Sequence, residues 1–186
     1  MNESKQMSSV GFRGMALYLK LRERFEEPRE RLANAGLGRG QVVLDYGCGI
    51  GSYALPAARI VGDEGKVYAL DIHPLAIKAV GRRARKEELS NITTIQSDRE
   101  TGLSDKSVDV ILLYDVLHSV PDKGALLQEL HRILKPGGLL SVLPDHMEEE
   151  VFLRIMEAGD RFVLQDRQGK VFAFKKSVNG HVKSDS

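Results

Sequence analysis

Apolar positions recur at helical spacing early in the chain, then switch to short runs punctuated by glycine. Phe12, Met15, Ala16, Leu19 and Phe25 follow the first pattern, which predicts an amphipathic helix reaching about Glu27. Pro28 suits the first turn of a second helix over residues 29–35, with Gly36 as its C-cap. From Gln41 onward, strand-like and helix-like stretches take turns. Strands are predicted at residues 42–44, 66–72, 92–96, 108–114 and 139–143. Helices are predicted at 53–61 (despite Pro56 in its first turns), 75–88 and 123–134. Such alternation is the signature of a parallel sheet with right-handed crossovers and helices on both faces. A further helix at 148–158 precedes two short strands, 161–165 and 171–175, joined by a tight turn at Gln168-Gly169.

The 186 residues fit one globular domain, taken as residues 10–177, with polar, disordered tails at 1–9 and 178–186. A domain of this size buries roughly 70% of its unfolded surface and needs no disulfide or metal to hold a core. Basic and acidic side chains number 27 and 26, a net charge of +1. That balance gives no global electrostatic case for a nucleic-acid or anionic-membrane partner. The apolar runs fall short of the ~20 residues of a membrane span, and the polar start of the chain has no signal-peptide character. The single cysteine, Cys48, excludes an internal disulfide, and no Cys/His cluster shows zinc spacing. A reducing, cytoplasmic location is the expectation. The run Arg82-Arg83-Ala84-Arg85-Lys86-Glu87-Glu88 reads first as a solvated helix face and only second as an RNA contact.

The chemistry concentrates after the first strand, in Asp45-Tyr46-Gly47-Cys48-Gly49-Ile50-Gly51. Glycines between a strand and a helix let the backbone turn tightly and approach a ligand without a clashing Cβ. Asp71 ends the second strand, 20 positions after Gly51, where a carboxylate can accept hydrogen bonds from both ribose hydroxyls. The third glycine comes one position too early for the dinucleotide fingerprint Gly-x-Gly-x-x-Gly. Asp45 would also repel a pyrophosphate, whereas a carboxylate suits a ligand bearing a sulfonium and an amino group. The charge pattern therefore favours S-adenosylmethionine over NAD.

At these residues the chain resembles the class I S-adenosylmethionine-dependent methyltransferases of small-molecule type, over roughly Arg39 to Lys176. Leu44 to Gly51 is similar to the family's methionine-binding loop, and Asp71 to its ribose acid. Ser97-Asp98-Arg99 looks like the segment whose Asp meets the adenine amino group. The segment from Tyr114 to Asp122 resembles the one after strand four, and Leu134-Lys135-Pro136-Gly137-Gly138 the turn into strand five. The resemblance implies a Rossmann-like, doubly wound, mostly parallel α/β sheet of seven strands with an antiparallel last strand, preceded by N-terminal helices. It further implies cofactor contacts from Asp45, Gly47, Cys48, Gly49, Gly51, Asp71, Ile72, Ser97, Asp98, Arg99 and Asp115. Three of these have plainer readings: Asp45 as a cap of the loop, Asp98 as a turn former, and Cys48 as a small residue with room in the loop.

Methyl transfer needs alignment of donor and acceptor above all, and a base where the acceptor carries a proton. His118, Asp145 and His146 follow strands four and five and are the candidates. Their plain alternatives are a packed histidine and a polar loop that starts the next helix. In the family, a segment like residues 10–38 covers the cofactor as a lid, so that Phe12, Met15, Tyr18 and Leu19 line an acceptor pocket; packing on the sheet edge or on a partner subunit is the equal alternative. No Asn/Asp-Pro-Pro-Tyr motif follows strand four, and one cysteine argues against arsenic chemistry. A small-molecule acceptor follows, with the quinone-biosynthesis and general small-molecule branches nearest in flavour; the oligomeric state is open and includes a homodimer. Two rivals stand beside the enzyme: a non-catalytic methyltransferase-like subunit that binds a partner, and an NAD-binding oxidoreductase.

Overall fold

Each strand of the computed structural model is apolar where helices cover both of its faces. The structure describes residues 28–177 together with Gly11 and Gly14. The candidate lid residues Phe12, Met15, Tyr18 and Leu19, and both tails, lie outside the described residues. The elements run α1 (Pro28–Asn34), β1 (Val42–Tyr46), α2 (Ala54–Val61), β2 (Lys66–Asp71), α3 (Pro74–Lys86), β3 (Ile92–Gln96) and β4 (Val108–Tyr114). A 3₁₀ turn (Leu117–Ser119) follows, then α4 (Lys123–Ile133), β5 (Leu134–Leu143), α5 (Glu149–Glu157), β6 (Phe162–Gln168) and β7 (Val171–Lys176).

The seven strands form one sheet in the order β3-β2-β1-β4-β5-β7-β6. Strands β1 to β5 pair in parallel, and β7 runs antiparallel to both β5 and β6. This is the doubly wound, mostly parallel architecture expected, with its antiparallel hairpin at one end.

The period-2 rule divides the core between the two faces. On one face Val43, Val110, Leu112 and Tyr114 pack with Ala54, Leu55, Ala58 and Val61 of α2, Val80 of α3 and Leu32 of α1. On the other, Leu44, Tyr46, Ile111 and Leu113 pack with Leu126 and Leu130 of α4, Phe152 of α5, and Phe172 and Phe174 of β7. The central strand β4 is therefore a nearly continuous apolar run, as a strand buried on both faces must be.

Several boundaries differ from the sequence expectation for local reasons. β5 begins at Leu134 rather than 139, because Leu134 already pairs with Val108 before pairing resumes at Val110 and Leu139. Pro136 and Gly137 (φ +78°) fall between these two stretches of pairing. The hairpin turn centres on Gly169-Lys170, one residue later than expected, with Gly169 at φ +59°. α3 stops at Lys86, two residues short of the expected end, and Glu88 follows at φ +55°. None of the described helices is long and apolar enough to cross a membrane.

Candidate functional site

The carboxyl ends of β1 to β4 open onto a partly open cleft with a cavity volume of about 110 Å³. Its walls are Tyr46 and Gly47 from β1 and its loop, Leu70, Asp71 and Ile72 from β2, and Ser97 and Asp98 after β3. Val116, Ser119, Val120 and Pro121 close it from the β4 side. The cleft lies where the strand order reverses, β1 being flanked by β2 and β4, which is where open α/β sheets take their ligands.

The glycine loop is held by its own backbone. Gly47, Gly49 and Gly51 have φ of +79°, +52° and +89°, a region that L side chains rarely adopt. The amides of Gly47 and Cys48 both donate to the Leu70 carbonyl, at 2.8 and 2.9 Å. A Cβ on Gly47 would lie 2.8 Å from Val116 Cγ2, and one on Gly51 would lie 2.3 Å from Leu55 Cδ1. The loop's packing thus demands glycine at two of the three positions, independently of any ligand.

Asp71 organises the same loop from the neighbouring strand. Its Oδ2 accepts from the Gly49 amide at 2.9 Å and its Oδ1 from the His73 amide at 2.8 Å. Each carboxylate oxygen has room for a second donor, so this pair of bonds orients the group and leaves acceptor capacity.

Beneath the loop, the Asp45 carboxyl is 2% exposed. Among the described residues no donor reaches its Oδ2. Burial pushes its pKa up to about 7; the Ala54 amide at the start of α2 works against the rise, and Asp71 adds to it. A buried carboxylate oxygen lacking a donor is costly, and a bound cation with N–H groups would relieve that cost. Cys48, 6% exposed, has a thiol pushed well up by burial and by Asp45 and Asp71. It is a packed small residue and not an activated nucleophile.

The candidate bases gather at the rim. The His118 and His146 rings meet edge to face with centroids 5.2 Å apart. His118 follows β4 in the 3₁₀ turn, while His146 sits after β5 at φ +64°. Both side chains are exposed. The His118 pKa is lowered by partial burial and then by His146 and Lys123, with Asp115 and Asp145 opposing. Asp145 pairs with Lys170 Nζ at 3.6 Å across to the hairpin turn.

Of the residues expected at a cofactor, Gly47, Asp71, Ile72, Ser97 and Asp98 line the cleft. Asp45, in β1, and Cys48, Gly49 and Gly51, in the loop after it, are not among the lining residues. Arg99 is exposed with its amide on Ser97 Oγ at 3.3 Å, and Asp115, at φ +57°, has its amide on the Leu143 carbonyl at 3.1 Å; neither lines the cleft. Tyr46, Leu70, Val116, Ser119, Val120 and Pro121 line it without having been singled out. Tyr46 and the residues after β4 lie within the two segments that carry the resemblance, whereas Leu70 has only its place near the end of β2 to mark it. Among the described residues no group of three or more His, Cys, Asp or Glu is placed to hold a metal ion.

A family model described as a methyltransferase domain matches residues 37–176. The chain is 32% identical to the ubiquinone/menaquinone biosynthesis C-methyltransferase UbiE of a Marinomonas species, over 78% of this chain and 59% of that protein. It is 28% identical to the demethylmenaquinone methyltransferase of Geobacillus stearothermophilus, over 70% of this chain and 56% of that protein. The matches thus span little more than half the length of these relatives. In structure the chain is similar to an S-adenosylmethionine-dependent methyltransferase from Aquifex aeolicus, with a TM-score of 0.76 and 24% identity, over 92% of this chain and 98% of that one.

Proposed function

The chain belongs to the methyltransferase domain family, and from that premise we propose that it transfers the methyl group of S-adenosylmethionine to a small-molecule acceptor of quinol type. The observation that carries this reading is the buried Asp45 carboxyl, whose Oδ2 lacks a donor directly beneath a glycine loop. A nicotinamide dinucleotide would place phosphates against that loop and would leave Oδ2 without a donor. An amino-acid ammonium would give it one.

The residues divide the work as follows. Asp45 holds the ammonium of the methionine part, directly or through water. Asp71, pre-aimed by two backbone amides, accepts from the ribose hydroxyls, and Asp98 accepts from the adenine amino group. Ile72 lies along the same wall of the cleft. When bound, the cofactor supplies a methyl group made electrophilic by its sulfonium. The chain's part in the transfer is to align the acceptor and exclude water, which alone supplies several kcal/mol. His118 takes the acceptor's hydroxyl proton, which raises electron density on the ring carbon next to it; once that carbon is methylated, its own proton leaves and the hydroxyl takes a proton back. Its lowered pKa keeps the imidazole neutral, and so able to accept a proton, at physiological pH. His146 packs against His118 and holds its ring in place. The acceptor class rests on the names of the relatives, which act in quinone biosynthesis.

Calorimetric titration with S-adenosylmethionine, S-adenosylhomocysteine and NAD tests the reading. Micromolar binding of both adenosyl ligands, lost in Asp71→Ala and absent for NAD, is the expected result. Binding of neither adenosyl ligand would remove the enzymatic reading and leave the partner-binding subunit. Methyl transfer to a demethylated quinol, followed by mass, then tests the acceptor.

A further inference from the structure

Asp98 sits in a stretch without regular secondary structure, yet a contact that discriminates one base from another has to be held in place. Beyond the Ser97 amide, which donates to the Asp71 carbonyl at 3.2 Å, the stretch after β3 is tied down at two points. On one side the Tyr46 hydroxyl donates to the Asp98 carbonyl at 3.0 Å, reaching from the end of β1 past β2. On the other, Thr101 is 2% exposed and gives both its amide and its hydroxyl to Glu129 Oε1, at 3.1 and 2.5 Å. Arg132 grips the same carboxylate through Nε and a terminal nitrogen, at 2.7 and 2.8 Å, and also donates to the Leu103 carbonyl at 2.9 Å. The Glu129 side is a charged clamp on the far end of the stretch. The Tyr46 side is a single neutral hydrogen bond at the residue that matters.

Tyr46 is itself part of the cleft. Its ring is 4% exposed and packs in the apolar cluster with Leu44, Leu70 and Leu113, while one side of it lines the cavity beside Gly47 and Asp71. Its position is therefore rigid, and its hydroxyl serves as a fixed donor on the backbone of Asp98. From this juxtaposition we propose that Tyr46 is a positioning residue that sets base selectivity: it holds Asp98 where its carboxylate accepts from an exocyclic amine and turns away an exocyclic carbonyl. The inference rests on the reading of Asp98 as the adenine contact. Without the Tyr46 hydroxyl, Asp98 keeps only the bond of the neighbouring Ser97 amide to the Asp71 carbonyl on the cleft side, and its carboxylate is no longer held against the base edge. A site built to hydrogen-bond one exocyclic group rejects the analogue lacking it far more strongly than shape alone allows.

The test is a comparison of S-adenosylhomocysteine with S-inosylhomocysteine, which differ only at the base's amine or carbonyl edge. Both are titrated calorimetrically into the wild-type protein, Tyr46→Phe and Asp98→Ala. The wild type is expected to prefer the adenosyl ligand at least tenfold. In Tyr46→Phe, which keeps the buried ring, that preference is expected to fall fivefold or more, with the inosyl affinity nearly unchanged. A merely structural role of Tyr46 would weaken both ligands alike, and that result overturns the proposal, as does an unchanged preference. Asp98→Ala separates the two layers. If it abolishes the preference while Tyr46→Phe does not, the adenine contact stands and the role of Tyr46 falls. If Asp98→Ala leaves the preference intact, the adenine contact falls and takes the proposal with it.

Discussion

The loop after β1 and the rim formed after β4 and β5 sit at the same end of the sheet, yet they are built in opposite ways. The first is buried and made largely of backbone: positive-φ glycines, two amides on one carbonyl, and a carboxyl sealed beneath them. The second consists of exposed side chains, His118 and His146, on a 3₁₀ turn and a positive-φ residue. Few side chains can be exchanged in the first without disturbing the fold, whereas the second can change its chemistry and leave the core alone. A scaffold that keeps one cofactor and varies its acceptors has to be built in this way.

The sharpest way to break the comparison is to place equal insults on the two kinds of surface. Gly51→Ala puts a Cβ 2.3 Å from Leu55 Cδ1 and 3.2 Å from Val80 at φ +89°, and Leu55 is fully buried and has nowhere to go. Strain and overpacking together are expected to cost about 3 kcal/mol, a fall in Tm of roughly 10 °C for a domain of this size. Gly169→Ala, at φ +59° in the hairpin turn with nothing within 4 Å, is expected to cost only about 1 kcal/mol. Thermal denaturation of the two variants measures the difference, and equal losses would contradict the account of the loop.

At the rim the effect should be on rate. His118→Ala removes an exposed side chain, so stability should change by no more than about 0.5 kcal/mol. Its kcat for methyl transfer is expected to fall about a hundredfold, the low end of general-base catalysis. In the wild type, kcat should hold down to a pH below 6.5, since burial lowers the His118 pKa, and then decline as the imidazole takes a proton. Single-turnover kinetics across pH would check both. A variant with unchanged kcat would make His118 a packing residue only.

The same contrast explains what the sequence made legible. The alternation of strands and helices and the glycine loop follow from rules that act on neighbours in the chain: short apolar runs, proline at a helix start, and glycine where φ is positive. Asp71, at the end of its strand, was readable for the same reason. What could not be read depends on contacts between distant residues. Tyr46 meets Asp98 across 52 positions, and the early start of β5 depends on a pairing of Leu134 with Val108. His118 and His146 were each visible as candidates, but their edge-to-face contact was not. Arg99 and Asp115 entered through the resemblance, and the cleft wall passes both by.

A smaller but more diagnostic effect is expected at Asp45, because on the proposed reading its protonation couples the buried region to the ligand. An ordinary aspartate carries pKa 3.8, and Asp45 is raised to about 7. Between those values the folded protein without ligand holds a proton that the unfolded chain has lost. Its contribution to stability is therefore fully present below pH 4 and disappears as pH rises through 7. Ligand binding runs the other way. An ammonium pairs with the ionised carboxylate, so binding below pH 7 must expel the proton, and affinity should fall up to tenfold per pH unit. The charged and titratable groups facing Asp45 are Asp71 from β2, Tyr114 from β4 and the Cys48 thiol. The last two stay neutral throughout, with burial raising both. Calorimetry with S-adenosylhomocysteine between pH 5.5 and 8, in two buffers of different ionisation enthalpy, reads the proton release directly. Asp45→Asn should bind more weakly at pH 8 and show no pH slope below 7. If that variant keeps the slope, the titrating group lies elsewhere, and the buried carboxyl is a cap of the loop and not the seat of the ammonium.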